Sequence, residues 1–163
     1  MLEIINLSKH YGDVHAVNDL SLTIEPGEIF TMLGANGAGK TTTLMVSLGF
    51  TEPTQGTVKI CGIDVTKDPL EAKKHVAYVS ENVMLYGNFT ARQNLEFFTK
   101  LGGRKAVGDD EYREVMGRVG LQHDAFDRRV KGFSKGMRQK LGIAIAIMKD
   151  AEVILLDEPT SGL

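Results

Sequence analysis

The chain has 163 residues, 42% of them hydrophobic and 25% charged, and a formal net charge of −2. That size and balance suit one domain with a sizeable core and exclude disordered, collagen-like and membrane-embedded classes. So small a negative charge also excludes a global attraction to nucleic acid, leaving only local patches such as Arg128, Arg129, Lys131, Lys135, Arg138 and Lys140, which otherwise form a solvated face.

In chain order, Leu2 to Leu7 and Val17 to Ile24 read as an antiparallel strand pair, the second alternating Leu20, Leu22 and Ile24 with Asp19, Ser21 and Thr23 before a Pro26-Gly27 turn. Glu28 to Leu33 is a more continuous apolar run expected to be a strand, followed by a glycine-rich turn and a helix from about Lys40 to Gly49. Gly56 to Cys61 predicts another strand, Pro69 to Lys74 a short helix, and His75 to Ser80 a strand that ends in the irregular stretch Glu81 to Asn88. Thr90 is a candidate N-cap for a helix reaching Leu101, and Asp109-Asp110-Glu111 opens a second helix that ends near Gly120. A third helix spans Ser134 to Met148, apolar on nearly every side and so expected to be buried. Val153 to Leu156 is a short apolar strand stopped by Asp157-Glu158-Pro159. The predicted architecture is α/β: a mostly parallel core, an antiparallel β layer before it and a helical insertion.

The longest apolar runs fall well short of the roughly 20 residues that cross a bilayer. The N-terminus lacks the pattern of a signal peptide, and the single Cys61 has no internal partner for a disulfide. A cytosolic setting is the expectation. His10, His15, His75 and His123 show no metal-ligand spacing.

Gly34-Ala35-Asn36-Gly37-Ala38-Gly39-Lys40-Thr41 fits the pattern G-x-x-x-x-G-K-[ST], placed after an expected strand and opening a helix. Glycines let successive backbone N–H groups turn inward against phosphate oxygens, and the helix start adds partial positive charge. Lys40 can then reach the β- and γ-phosphates, Thr41 can offer its hydroxyl to Mg²⁺ and Thr42 can donate to a phosphate oxygen. The ligand expected is ATP with Mg²⁺. An acidic pair ending an apolar strand suits the same chemistry: Asp157 to hold the metal through water, Glu158 to take a proton from the attacking water.

With these motifs in order, the chain resembles the nucleotide-binding subunit of an ABC transporter, a P-loop NTPase, from Leu2 to Leu163. Phe133-Ser134-Lys135-Gly136-Met137 resembles that family's LSGGQ signature with Leu, the first Gly and Gln replaced, a change that suggests the prokaryotic exporter type. The resemblance implies that Ser134, Lys135 and Gly136 face an ATP held by a second subunit in a head-to-tail dimer, although Ser134 also suits a helix N-cap. It makes Tyr11 the aromatic that stacks on adenine, with Val17 beneath the ring. It places Glu81 where the Q-loop carries Gln, as an acceptor for Mg²⁺-bound water, and Met84, Leu85, Tyr86 and Phe89 where a membrane subunit docks or where the insertion packs.

Under the resemblance the chain divides into a β layer with phosphate-loop core over about 1–80, a Q-loop and helical insertion over about 81–135, and a signature helix with acidic strand over about 134–163. Thr160-Ser161-Gly162-Leu163 resembles the start of the D-loop, and the family's further strands and switch His would follow. An incomplete domain with weak turnover and an exposed sheet edge prone to swapping or aggregation is therefore expected. The implied function is ATP hydrolysis coupled to transport through transmembrane permease subunits, at the inner face of the membrane and without nucleic acid. A regulatory ATP-binding module and a soluble ABC ATPase are the alternatives.

Overall fold

The structure, a computed structural model, describes residues 1–105 and 107–159. It is mixed α/β, with antiparallel and parallel sheets. The chain divides into two compact units, Met1–Val76 and Ala77–Leu163.

In the first unit, β1 (Leu2–Tyr11) and β2 (Val14–Ile24) form a hairpin whose register runs from Leu2 opposite Ile24 to Tyr11 opposite Val14. Both strands extend further toward the turn than their hydrophobic pattern indicates. Next come α1 (Lys40–Ser47), β3 (Gln55–Ile60), the two-residue β4 (Ile63–Asp64) and α2 (Pro69–Lys74). The sheet order is β2-β1-β3-β4, and β3 is antiparallel to both its neighbours. Leu2, Ile4, Leu7, Val58 and Ile60 are buried, and α1 packs against β2 and β3 while burying Thr43, Val46 and Ser47.

One expected strand is absent. Glu28 to Leu33 joins no ladder: the Glu28 amide donates to the Glu25 carbonyl, closing a turn, and the residues beyond it run as irregular backbone. Ile29 is 94% and Leu33 89% exposed. Hydrophobicity favours burial, but a strand also needs a neighbour to take its N–H and C=O groups, and among the described residues no strand pairs with this segment.

In the second unit, β5 (Val76–Val79) pairs with β6 (Val153–Leu156). Three helices, α3 (Ala91–Leu101), α4 (Asp109–Arg118) and α5 (Lys135–Met148), build most of the remainder. The Thr90 hydroxyl accepts from the Gln93 amide while the Thr90 amide donates to Gln93 Oε1, a complete capping box at the predicted cap. Three acids occupy the first turn of α4, where they meet the positive end of its dipole. Leu95, Tyr112, Met116, Phe126, Val130, Leu141, Ala144 and Met148 form the core between the helices. Of α5 only Lys135 and Arg138 are exposed, as its all-round apolar pattern requires, and Arg104 donates to the Met148 carbonyl at its far end.

Candidate functional site

Two groups of predicted residues take shape, one in each unit. In the first, Gly39 is the N-cap of α1 at φ 84°, supplies no side-chain cap, and is followed by a first turn without acid. The opening amides of the helix therefore have neither a capping oxygen nor a carboxylate, which is the arrangement that favours an external anion. A Cβ on Gly39 would lie 2.3 Å from the Ala16 carbonyl oxygen and 3.3 Å from Val17 Cγ2. Glycine is what allows the loop to lie directly against β2, and that contact puts Val17, itself buried, beside the loop.

Lys40 folds back across its own turn, its ammonium donating to the carbonyls of Gly34 at 2.6 Å and Ala35 at 3.1 Å. The Ala38 amide donates to the Ala35 carbonyl, and Gly37 takes φ 86°, so the turn is tight. The Thr43 hydroxyl is used by the Gly39 carbonyl, whereas Asn36 and Thr41 are exposed and Thr42 is partly so. Tyr11 ends β1 half exposed, with Lys9 Nζ 4.8 Å from its ring centroid.

In the second unit the β5–β6 pairing continues past the strands, because the Asp157 amide donates to the Val79 carbonyl at 2.9 Å. This sets Asp157 beside the chain that leads into Glu81, two residues further on. The Tyr78 hydroxyl donates to Asp157 Oδ2 at 3.3 Å. Burial, then the negative charge of Asp157 and this bond, push the Tyr78 phenol up. Glu158 is exposed at φ 47°, a left-handed conformation that turns it away from the line of β6.

The expected cap of α5 is present, the Ser134 hydroxyl accepting from the Met137 amide at 3.1 Å. Gly136 is buried, and Lys135 forms an ion pair with Glu81 at 3.1 Å. Buried Gln139 donates to the Ser80 carbonyl at 3.5 Å, and a Cβ on Gly142 would stand 2.8 Å from Val83 Cγ1. The loop after β5 therefore lies on α5. Beyond it, Met84 is 85% exposed, Leu85 packs on the helical core, and Tyr86 and Phe89 share an aromatic cluster with Phe97 and Phe98. Buried Asn94 fixes that cluster by bonding both the amide and the carbonyl of Tyr86. Asn94, Tyr78, Gln139 and Phe97 escape a sequence reading, because their roles depend on which groups the fold brings beside them; only the spacing of Asn94 four residues after Thr90 hints at one. The basic cluster is partly used internally, with Arg128 paired to Asp124, Lys140 bonded to the Gly120 carbonyl and Arg138 to the Lys131 carbonyl. Residues Thr160 to Leu163, the expected D-loop start, lie outside the described residues.

Residues 17–161 match the family described as ABC transporter. The chain belongs to the ABC transporter ATP-binding family. It is 41% identical over its whole length to the ABC transporter ATP-binding protein NatA of Bacillus subtilis (strain 168), covering 68% of that protein. It is 40% identical to the bacitracin transport ATP-binding protein BcrA of Bacillus licheniformis, of which it spans 52%. Its fold matches the dimeric, post-hydrolysis structure of the ATP-binding cassette MJ0796 bound to ADP and Pi, with a TM-score of 0.85 at 27% identity over all of this chain and 76% of that one. ABC ATP-binding domains are in general ATPases that use magnesium with ATP, dimerise and work with membrane components. No helix among the described residues is long and apolar enough to cross a membrane.

Proposed function

We propose that this chain is the ATP-binding and hydrolysing part of a transporter, coupling nucleotide turnover to movement of permease subunits. The observation that carries this reading is the start of α1: amides without a cap, no acid in the first turn, and Lys40 drawn across the loop. Triphosphate oxygens replace the Gly34 and Ala35 carbonyls as partners of the ammonium, and the amides of Asn36 to Lys40 close around them. Tyr11 and Val17 take the adenine.

The residues assigned to magnesium offer hydroxyl and carboxylate oxygens, the hard donors that ion prefers. Thr41, Asp157 and Glu81 are the residues that would hold it, the last two through water. When bound it neutralises phosphate charge. Tyr78 orients the Asp157 carboxylate through its hydroxyl. Glu158 accepts the proton of the attacking water, and Ser134, Lys135 and Gly136 contact the ATP of a second, head-to-tail subunit. The apolar surface of Met84, Tyr86, Phe89 and Phe97 receives the permease, and the protein works at the inner face of a membrane. Likeness to relatives named for transport supports the coupling.

Equilibrium binding of a fluorescent ATP analogue with Mg²⁺, together with phosphate release, tests the assignment. Lys40→Ala should abolish binding, and Glu158→Gln should bind normally while losing roughly 10²- to 10⁴-fold in turnover. Undiminished binding by Lys40→Ala removes the phosphate loop from the mechanism, and an unchanged rate for Glu158→Gln removes the base.

A further inference from the structure

Lys135 and Glu81 stand 54 positions apart in sequence, yet Lys135 Nζ donates to Glu81 Oε1 at 3.1 Å. Their side chains are 46% and 44% exposed, and a pair that open to water adds little to stability. Its position is more informative than its strength. Lys135 is the first residue of α5, where a cation meets the positive end of the helix dipole, and Glu81 brings a carboxylate that offsets both charges. Beneath the pair, Gln139 on Ser80 and Val83 against Gly142 hold the loop to the helix independently. The ion pair is thus a rim contact that can open while the loop stays attached.

We propose that Lys135 and Glu81 form an exchange latch, in which Glu81 holds the Lys135 ammonium in the nucleotide-free chain and would leave it for magnesium-bound nucleotide. Lys135 is then the positioning residue for Glu81, and its departure from the carboxylate leaves the helix start cationic and open to a phosphate. The step exchanges partners only; no bond is made or broken. This inference rests on the assignment of Glu81 to the metal site proposed above.

Four proteins test it: wild type, Glu81→Gln, Lys135→Met and the double variant. Urea unfolding without nucleotide reads the pair by itself, and the cycle should show a coupling of about two- to five-fold in the unfolding constant. Mg²⁺ titration of fluorescent ATP-analogue binding reads the exchange. Lys135→Met should lower the half-saturating Mg²⁺ about two- to five-fold when Glu81 is present and leave it unchanged in the Glu81→Gln background. No coupling in unfolding overturns the pair, and an equal Mg²⁺ shift in both backgrounds, or none in either, overturns its control of Glu81. A wild type that binds no analogue overturns the ATP assignment and the exchange together, while unfolding still judges the pair.

Discussion

Replacing Gly39 by Ala tests how tightly the phosphate loop is built against β2. Two costs follow from the geometry. An L-residue at φ 84° is strained by about 1–2 kcal/mol, of which the stiffer unfolded chain returns about half. The new Cβ would also sit 2.3 Å from the Ala16 carbonyl oxygen, so the loop or β2 must move, at about 1–3 kcal/mol. Gly39→Ala should thus cost about 1.5–4 kcal/mol in urea unfolding. Gly37→Ala is the control: φ is 86°, but nothing lies within 4 Å of its Cβ, so only the strain of about 1 kcal/mol remains. Both variants should weaken binding of the ATP analogue, because both crowd the nest; only stability separates them. Equal destabilisation of the two would refute the close approach to Ala16.

Asp64 supplies an acid-sensitive contribution. Burial raises its carboxyl, but the hydroxyl and amide of Thr66, the Thr57 hydroxyl and the charge of Lys67 outweigh burial and hold it at about 2. A folded-state value below the unfolded one means that the stabilisation is fully present above about pH 4 and is lost as pH falls toward 2. Asp64→Asn should cost up to about 2 kcal/mol at pH 7, and the gap to wild type in urea unfolding should narrow steadily below pH 4. A gap independent of pH would show that charge plays no part. Asn94→Ala leaves the Tyr86 amide and carbonyl without their buried partner and should cost about 2–3 kcal/mol, with faster hydrogen exchange over residues 84–89. Unchanged exchange there would show that the aromatic cluster holds itself.

The phosphate loop was legible because its pattern is local: glycines at fixed spacing, then Lys40 and a helix. The caps at Thr90 and Ser134 were legible for the same reason, since each hydroxyl serves an amide three residues on. The apolar run Glu28 to Leu33 misled, because hydrophobicity reports a tendency to leave water while pairing depends on residues elsewhere in the chain. Polar partners across long separations were also hidden. Nothing near Tyr78 announces Asp157, and nothing near Glu81 announces Lys135; each meeting follows from how β5 lies beside β6 and α5.

Fourteen residues make α5 a rod about 21 Å long. Its first side chain is held by a carboxylate at the surface, and its last carbonyl by Arg104, which is itself paired with Glu111 on α4. With twelve of its fourteen residues enclosed or partly enclosed, the rod is gripped along its length as well as tied at both ends, so a substitution at either tie leaves the rest of the helix anchored by its packing.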